Sequence, residues 1–277
     1  MNVLVTGCSS GIGLLTAVRF ASAGHSVMAS MRNPSAAGDL HDAATAAGVE
    51  VSVVALDVTS ADSIAEAVAH TTDTLGSIDV LVNNAGVELF GAVHLVGDDE
   101  MQRLFDTNVF GVVRMCRAVV PQMLESGSGR IMNVGSIAGR VGAPYSGLYA
   151  ATKHALEALS EAMHFELSHL GIRVSVIEPG QFATRISDNA MTAAAMGPDT
   201  PEHARFEAFR TAQRSLVQGE RGDAGLVADV IVEAATTDTP RLRWLVGDDA
   251  ELIAATKSEM GFEEFEAAMR ATLDWHD

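Results

Sequence analysis

The residues best suited to chemistry are a tyrosine and a lysine that stand four positions apart, Tyr149 and Lys153. The chain of 277 residues contains only two tyrosines and two lysines, so this pairing is uncommon on composition alone. The pattern of residues 149–170 predicts a helix, and side chains four positions apart share one helix face. An ammonium near a phenol favours the phenolate and lowers the pKa of the tyrosine, so that it can exchange a proton near neutral pH. The alternative is an exposed surface pair.

A glycine-rich turn near the start of the chain indicates a phosphate-binding loop. It lies between an apolar strand predicted at residues 2–6 and a helix predicted at residues 14–23. In that context the backbone N–H groups at a helix N-terminus can hold a pyrophosphate. The residues assigned to this loop are Gly7, Ser9, Ser10, Gly11, Ile12 and Gly13. The turn also matches the nucleophile elbow of hydrolases, but no earlier strand exists to supply the second oxyanion donor.

The second predicted strand, residues 25–31, ends at Arg32, and this residue bears on the choice of cofactor. In NAD-binding folds, an acidic residue about 20 positions beyond the glycines usually binds the ribose 2′-hydroxyl. No carboxylate stands here, and an arginine at this point can form a bidentate pair with a 2′-phosphate. The sequence therefore favours NADP(H) over NAD(H). The alternative is an arginine that is merely exposed at a strand end.

Strands and helices alternate along most of the chain. Further strands are predicted at residues 51–56, 78–82, 130–134 and 172–177, and long helices at residues 60–74 and 98–124. This alternation predicts an α/β fold of the Rossmann type, with a doubly wound parallel sheet between two layers of helices. Ligands of such folds bind at the carboxyl ends of the strands. Six residues follow directly on predicted strands and are expected to share one crevice: Gly7, Arg32, Asp57, Asn83, Ser136 and Pro179.

Composition excludes several classes of partner. A net charge of −18 argues against nucleic acid and anionic membranes. Cys8 and Cys116 are far apart and lack a CxxC spacing, so neither a disulfide nor a zinc site has support, and no metal site is predicted. The chain shows no signal peptide and no apolar run long enough to span a bilayer. We expect a cytoplasmic protein with one domain, residues 1–277.

In combination, the motifs resemble the short-chain dehydrogenase/reductase family in its single-domain form. They run in the family's order between residues 2 and 186: Thr6-Gly-x-x-x-Gly-Ile-Gly13, Asn83-Asn-Ala-Gly86, Asn108, Ser136, Tyr149-x-x-x-Lys153 and Pro179-Gly180. Several phrases are most similar to the hydroxysteroid and retinol dehydrogenase branch. The resemblance implies an NADP(H)-dependent oxidoreductase that interconverts an alcohol with a ketone or aldehyde.

The resemblance also implies a role for each catalytic position. Tyr149 would be the general acid in reduction and the general base in oxidation, and Lys153 would lower its pKa and bind the nicotinamide ribose. Ser136 would bind the substrate oxygen, and Asn108 would hold a water that links Lys153 to solvent. Asp57 and Val58 would contact the adenine, and Thr184 the carboxamide. The other cofactor contacts would come from Asn84, Ala85, Gly86, Pro179 and Gly180.

The segment after Pro179 is expected to cover the substrate. In the family, the stretch equivalent to residues 181–222 is a mobile lid, and its methionines and phenylalanines suggest a wide apolar pocket. The alternative is an excursion packed on its own apolar residues. The residues assigned to an apolar alcohol or ketone substrate are Ser136, Val141, Tyr145, Gln181 and Phe182. Val87, Leu89 and Phe90 are further candidates for the pocket wall.

Assembly and function each leave an alternative open. The helices at residues 98–124 and 149–170 carry more apolar side chains than one core-facing stripe requires, and the resemblance implies that they pair in a homodimer. The last helix, residues 262–273, is expected to cover the sheet edge through which relatives form a homotetramer. A dinucleotide-binding module with a regulatory or scaffolding role is the alternative function. Epimerase or dehydratase chemistry on sugar nucleotides would need a larger C-terminal region.

Overall fold

The computed structural model describes residues 1–182, 190–216 and 222–273. Its central feature is a seven-stranded sheet in which every neighbouring pair of strands is parallel. The strands of this sheet, in chain order, are β1 (Asn2–Val5), β2 (Ser26–Met31), β3 (Ser52–Ala55), β4 (Val80–Asn83), β6 (Gly129–Val134), β7 (Ile172–Pro179) and β9 (Arg243–Val246). Their spatial order is β3-β2-β1-β4-β6-β7-β9, so the order reverses between β1 and β4.

Ten α-helices stand in the described ranges. They are α1 (Gly11–Ser22), α2 (Gly38–Ala47), α3 (Ala61–Leu75), α4 (Asp98–Phe105), α5 (Gly111–Ser126), α6 (Gly147–Leu167), α7 (Pro201–Leu216), α8 (Ala224–Thr236), α9 (Asp248–Glu259) and α10 (Phe262–Leu273). No helix in these ranges has the length and apolar character needed to cross a membrane.

The core is divided between the two faces of the sheet. Along β1, Val3 and Val5 pack with α1, α2 and α8, whereas Leu4 packs with α3, α5 and α6 on the other face. Successive side chains of a strand point to opposite faces, so a strand buried on both faces must be apolar throughout. The result is a three-layer α/β/α sandwich, and the predicted Rossmann-type fold is confirmed.

Two helices escaped prediction, and one predicted helix is interrupted. α2 buries only Leu40 and Ala44, and α9 only Ala250 and Ala254, so neither has a strong apolar period. The predicted helix at residues 98–124 contains a π-helical turn, Asp106–Phe110, between α4 and α5. Such turns insert one residue into a helix and often mark functional positions.

A second, two-stranded sheet lies above the first. It pairs β5 (Leu89–Phe90) with β8 (Met191–Thr192) in parallel, and thereby attaches the segment after β7 to the segment after β4. The backbone N–H of Ala194 adds a hydrogen bond to the Glu100 carboxylate at the start of α4, 2.9 Å long. The described part of the predicted lid is therefore fixed to the body of the protein on two sides.

The last helix does not lie where we expected. Its main contacts are with α7 and α9 rather than with β9, the strand at the sheet edge. The expectation that residues 262–273 cover this edge is therefore wrong. Its apolar stripe is real, but it faces a cavity instead of the sheet.

Candidate active site

Tyr149 and Lys153 are buried in the first two turns of α6. Tyr149 is 9% exposed and Lys153 is 6% exposed, so the interpretation as a surface pair is wrong. The Lys153 Nζ donates to the carbonyl of Val134, 2.8 Å away at the end of β6, and lies 5.7 Å from the centroid of the Tyr149 ring. Ser136 follows β6 and begins a short 3-10 turn, in which its Oγ accepts from the Ala138 N–H at 3.1 Å.

The electrostatics of this pair differ from the prediction. Burial raises the pKa of Tyr149 and the nearby Glu88 carboxylate raises it further, whereas a hydrogen bond with Ser136 lowers it. Burial lowers the pKa of Lys153 to about 8, although the negative charges of Glu88 and Glu157 act to raise it. The pKa of Tyr149 is thus raised rather than lowered, and Lys153 is not among the groups that shift it. With its pKa raised, the Tyr149 phenol stays protonated at neutral pH.

The glycine-rich turn has the shape of a phosphate cradle. Gly7 has a φ of 74°, which favours glycine, and a Cβ on Gly13 would lie 2.4 Å from the carbonyl oxygen of Gly7. The Asn84 amide donates to the carbonyls of Thr6 and Gly7 at 2.9 and 3.1 Å, which fixes the turn from below. Ser10 occupies the N-cap of α1 without a side-chain cap. The first N–H groups of α1 are thus available to an anion, and a dinucleotide pyrophosphate fits this loop.

Arg32 and Asp57 stand at the carboxyl ends of β2 and β3, as predicted. Burial raises the pKa of Asp57, but hydrogen bonds from Thr59 and the charge of Arg32 outweigh it and lower that pKa below its usual value. The Thr59 N–H and hydroxyl donate to the carboxylate at 2.9 and 2.7 Å. Within the described ranges Arg32 forms no hydrogen bond or ion pair of its own. Its exposed guanidinium is therefore available to a ligand phosphate.

One continuous cavity of about 1250 Å³ collects most of the predicted site. The predicted residues that line it are Gly7, Ser9, Ser10, Gly11, Ile12, Arg32, Asp57, Val58, Asn84, Ala85, Gly86, Ser136, Val141, Tyr149, Lys153, Pro179, Gly180, Gln181 and Phe182. Gly13 and Asn108 lie behind its wall, and Thr184 lies outside the described residues. Five of the six strand-end residues expected in one crevice line this cavity, at the point where the strand order reverses. The exception is Asn83, which ends β4, is 3% exposed and donates to the Asn133 side chain at 2.9 Å.

Comparison with known proteins decides the family. Residues 1–195 match the family model described as short chain dehydrogenase. The chain belongs to the short-chain dehydrogenase/reductase family. Its members are oxidoreductases that act on CH–OH groups with NAD(P), and this chain carries out alcohol–ketone oxidoreduction of that general kind.

The relatives include the branch that the sequence resembled. Retinol dehydrogenase 8 of Bos taurus is 38% identical over 87% of this chain and 80% of its own length. The 17-beta-hydroxysteroid dehydrogenase type 1 of Homo sapiens is 36% identical over 87% of this chain and 76% of its own length. A crystal structure of a short-chain dehydrogenase from Streptomyces avermitilis is 33% identical, with a TM-score of 0.80, and covers 98% of this chain and 97% of that one. The predicted membership is confirmed.

Asn108, the last of the four predicted catalytic residues in this short-chain dehydrogenase, lies in the π-helical turn. It is 2% exposed, and both polar atoms of its side chain form hydrogen bonds with the backbone of Val87. The Oδ1 accepts from the Val87 N–H, and the Nδ2 donates to the Val87 carbonyl, each at 2.9 Å. The Nδ2 also donates to Thr152 at 3.2 Å. Asn108 thus fixes the backbone beside Glu88, and its predicted role in holding a water stays a prediction.

Tyr145 is a predicted substrate residue that does not line the cavity. Its backbone has a φ of 61°, rare for a bulky residue, and its carbonyl accepts from the Gly91 N–H at 2.7 Å. The centroid of its ring lies 5.3 Å from that of Phe206 and 5.7 Å from that of Phe209, both on α7. Tyr145 therefore anchors α7 to the body of the enzyme. Leu89 is also buried outside the wall.

The described residues after Pro179 divide between a small apolar cluster and the cavity wall. Met196 and Phe206 are 1% exposed and pack with Tyr145 in a small apolar cluster, as the alternative stated. Met191 and Phe209 line the cavity, as expected of a substrate cover.

Several wall residues were missed in the sequence. They are Glu88 directly before β5, Gln102 and Arg103 on α4, Arg210 and Gln213 on α7, Ile253 on α9, and one face of α10. The apolar spacing of α10 was visible, but it was attributed to packing.

The structure offers no support for metal chemistry in the described ranges, where no group of three His, Cys, Asp or Glu side chains could hold an ion. Cys8 and Cys116 are free and buried, and burial raises the pKa of each thiol to about 12. Neither thiol is therefore a nucleophile near neutral pH.

Proposed function

We propose that this enzyme is an NADP(H)-dependent oxidoreductase that interconverts a secondary alcohol and a ketone, or a primary alcohol and an aldehyde, on an apolar substrate. The observation that carries the proposal is the juxtaposition of the Tyr149 phenol and the Ser136 hydroxyl in the cavity, with Lys153 buried behind them. Apolar side chains such as Phe90 and Val141 line the cavity, which supports an apolar substrate.

In the direction of reduction, Ser136 and Tyr149 donate hydrogen bonds to the substrate oxygen. Tyr149 passes its phenolic proton to that oxygen as negative charge develops there. The nicotinamide group, when bound, supplies the hydride in this direction and accepts it in the other. Lys153 would bind the ribose hydroxyls beside Tyr149. The raised pKa of Tyr149 suits a proton donor, since the phenol stays protonated at neutral pH.

A screen of purified protein for NADPH oxidation against a panel of ketones and aldehydes tests the proposal. We expect turnover with apolar carbonyl compounds and little with charged ones. The alternative, a cofactor-binding module without catalysis, predicts NADPH binding with no turnover on any member of the panel. The buried Tyr149 and Lys153 favour the enzyme, because a module that only binds a dinucleotide needs no proton donor.

The preference for NADP(H) rests on Arg32. We expect Arg32→Ala to raise the KM for NADPH and to leave the KM for NADH nearly unchanged, because only the 2′-phosphate loses a partner. A charged hydrogen bond is worth roughly 1.5–3 kcal/mol, or about ten- to a hundredfold in affinity. Steady-state kinetics with both cofactors measure this, and NADH is the internal control. Equal effects on both cofactors would remove Arg32 from the site, and a wild-type preference for NADH would refute NADP(H).

We propose a homodimer that pairs α4, α5 and α6 with their copies. Phe110 and Phe165 remain 44% and 73% exposed on this side of the molecule, which leaves apolar surface for a partner. Light scattering at micromolar concentration should give twice the monomer mass, and Phe165→Glu should give a monomer. Leu226→Glu on α8, 49% exposed on the opposite layer, is the matched control and should stay dimeric. A wild-type monomer contradicts the proposal.

Two further expectations belong to the same proposal. Because α10 does not cover β9, the reason for excluding a homotetramer falls away, and the light-scattering mass decides between the two assemblies. We also propose a cytoplasmic protein with a single domain over residues 1–277, whose residues 181–222 cover the substrate. The free thiols of Cys8 and Cys116 agree with the cytoplasmic location.

A further inference from the structure

One face of α10 lines the cavity that contains Ser136 and Tyr149. The residues on this face are Phe262, Phe265, Glu266, Met269, Arg270 and Leu273. Their spacing of three and four positions places them in one stripe along the helix. Residues of the opposite face, such as Glu263, Ala267 and Ala271, are exposed. The helix is therefore amphipathic, and its apolar side lines the same cavity as Ser136 and Tyr149, although Phe262 at its start is 64% exposed.

A second contact holds α10 in this position. Lys257, near the end of α9, places its Nζ 4.8 Å from the ring centroid of Phe265 and 5.3 Å from that of Phe262. A cation over an aromatic face is attracted by the ring. Phe265 and Leu273 are 8% and 7% exposed. Of the two lysines in the chain, one lies at the reacting centre, and the other fixes the helix that closes the cavity.

The space beneath α10 lies toward the nicotinamide end of the crevice rather than the adenine end. The adenine side is marked by Arg32 and Asp57 after β2 and β3. α10 instead packs on α9, whose Asp249 accepts the Gln181 N–H at 2.7 Å directly after Pro179–Gly180. A group in this space is therefore the part of the substrate that extends beyond the reacting carbon.

Three charged groups on or beside α10 contact other side chains. Arg270 and Glu266 pair with each other at 2.8 Å and are half exposed at the mouth. Arg210 on the opposite wall lies 5.4 Å from the ring centroids of Phe90 and Phe206. The side chains that α10 itself adds to the wall besides Glu266 and Arg270 are apolar, namely Phe262, Phe265, Met269 and Leu273, and they suit an uncharged chain.

We propose that α10 selects substrates by the length of an apolar tail. An alkyl chain, or an uncharged group of similar length, extends from the carbonyl carbon at Ser136 and Tyr149 to Phe265, Met269 and Leu273. This inference rests on the proposed carbonyl reduction. It adds the substrate feature that α10 recognises and the residues that recognise it.

A series of straight-chain methyl ketones tests the inference. With the wild-type enzyme and NADPH, kcat/KM should rise roughly fourfold for each methylene that becomes buried. Met269→Ala and Phe265→Ala should lower kcat/KM for the long ketones by about ten- to two-hundredfold and leave the short ones unchanged. Leu252→Ala is the matched control, because Leu252 is 68% exposed on α9 and lies outside the cavity wall. It should leave the whole series unchanged.

The possible outcomes are separable. A wild-type kcat/KM that does not rise with chain length, or variants that affect short and long ketones equally, would overturn the inference. If Phe265→Ala fails to fold, the half-buried Met269 still provides the test. If no ketone is reduced, the proposed function is wrong. The recognition of an apolar tail by α10 is then tested by ligand binding instead. A fluorescent dodecanoyl-naphthalene should then bind tighter than its propanoyl homologue, and Met269→Ala should abolish the difference; equal binding would overturn the inference.

Discussion

Replacement of Tyr149 by phenylalanine is expected to lower kcat at least a hundredfold. The phenol is the proton donor of the proposed mechanism, and positioned acid–base groups contribute about a hundred- to ten-thousandfold to the rate. The ring contributes packing that phenylalanine retains, so NADPH binding, followed by fluorescence, should survive. Single-turnover measurements with an active ketone from the screen would separate the chemical step from binding and release.

The matched control is the only other tyrosine, which lies four residues earlier. Tyr145 stacks on α7 outside the cavity wall, and Tyr145→Phe keeps those ring contacts. We expect Tyr145→Phe to turn over at close to the wild-type rate. Should Tyr149→Phe retain more than about a hundredth of wild-type kcat, the assignment of Tyr149 as the acid–base group is wrong.

Much of the fold could be read from local pattern. Apolar runs such as Val3 to Val5 are buried on both faces of the sheet, and an apolar run of four to eight residues with turns at each end is typical of such strands. The turn at Gly7 followed from the spacing of the glycines, and the parallel, doubly wound sheet followed from the alternation of strands and helices. The convergence of Arg32, Asp57 and Ser136 followed from the rule that parallel strands carry ligands at their carboxyl ends.

The features of the site that the sequence did not predict depend on tertiary geometry. The spacing of Tyr149 and Lys153 was right, but their electrostatics depend on burial, on Glu88 and on the carbonyl of Val134, none of which a helical period reveals. Tyr145 stood in the right stretch, but its positive φ turns the ring toward α7. The apolar period of α10 was correct, yet a period identifies only the buried face and not what covers it.

A network of buried ions illustrates the same limit, because its members come from distant parts of the chain. Arg140, at the end of the turn that Ser136 begins, forms a two-pronged pair with Glu178 in β7; its Nη2 lies 2.7 Å from Oε2. Glu157, one turn after Lys153 in α6, accepts from Arg243 of β9 at 3.0 Å. Burial raises the pKa of Glu157, and the charge of Glu178 raises it further. The network joins the Ser136 turn, α6 and the Pro179–Gly180 turn.

Loss of Arg140 is therefore expected to destabilise the protein strongly. The Glu178 side chain is fully buried and that of Arg140 is 32% exposed, so Arg140→Met leaves an uncompensated carboxylate in the interior. Breaking such a pair costs about 3–5 kcal/mol of unfolding free energy. Arg19→Met is the matched control, because the Arg19–Asp229 pair is 2.8 Å long but 47% and 56% exposed. An exposed pair contributes about 0–1 kcal/mol.

Urea denaturation of the two variants measures the difference, and a double variant identifies its cause. If the cost of Arg140→Met is the buried charge, adding Glu178→Gln removes that charge and should restore part of the lost stability. If the cost is only lost packing of the arginine stem, the double variant should be no more stable than Arg140→Met alone. A loss in Arg140→Met no larger than that in Arg19→Met would show that the Glu178 carboxylate is solvated or protonated without its partner. The Ser136 turn would then be held by its backbone contacts and not by this pair.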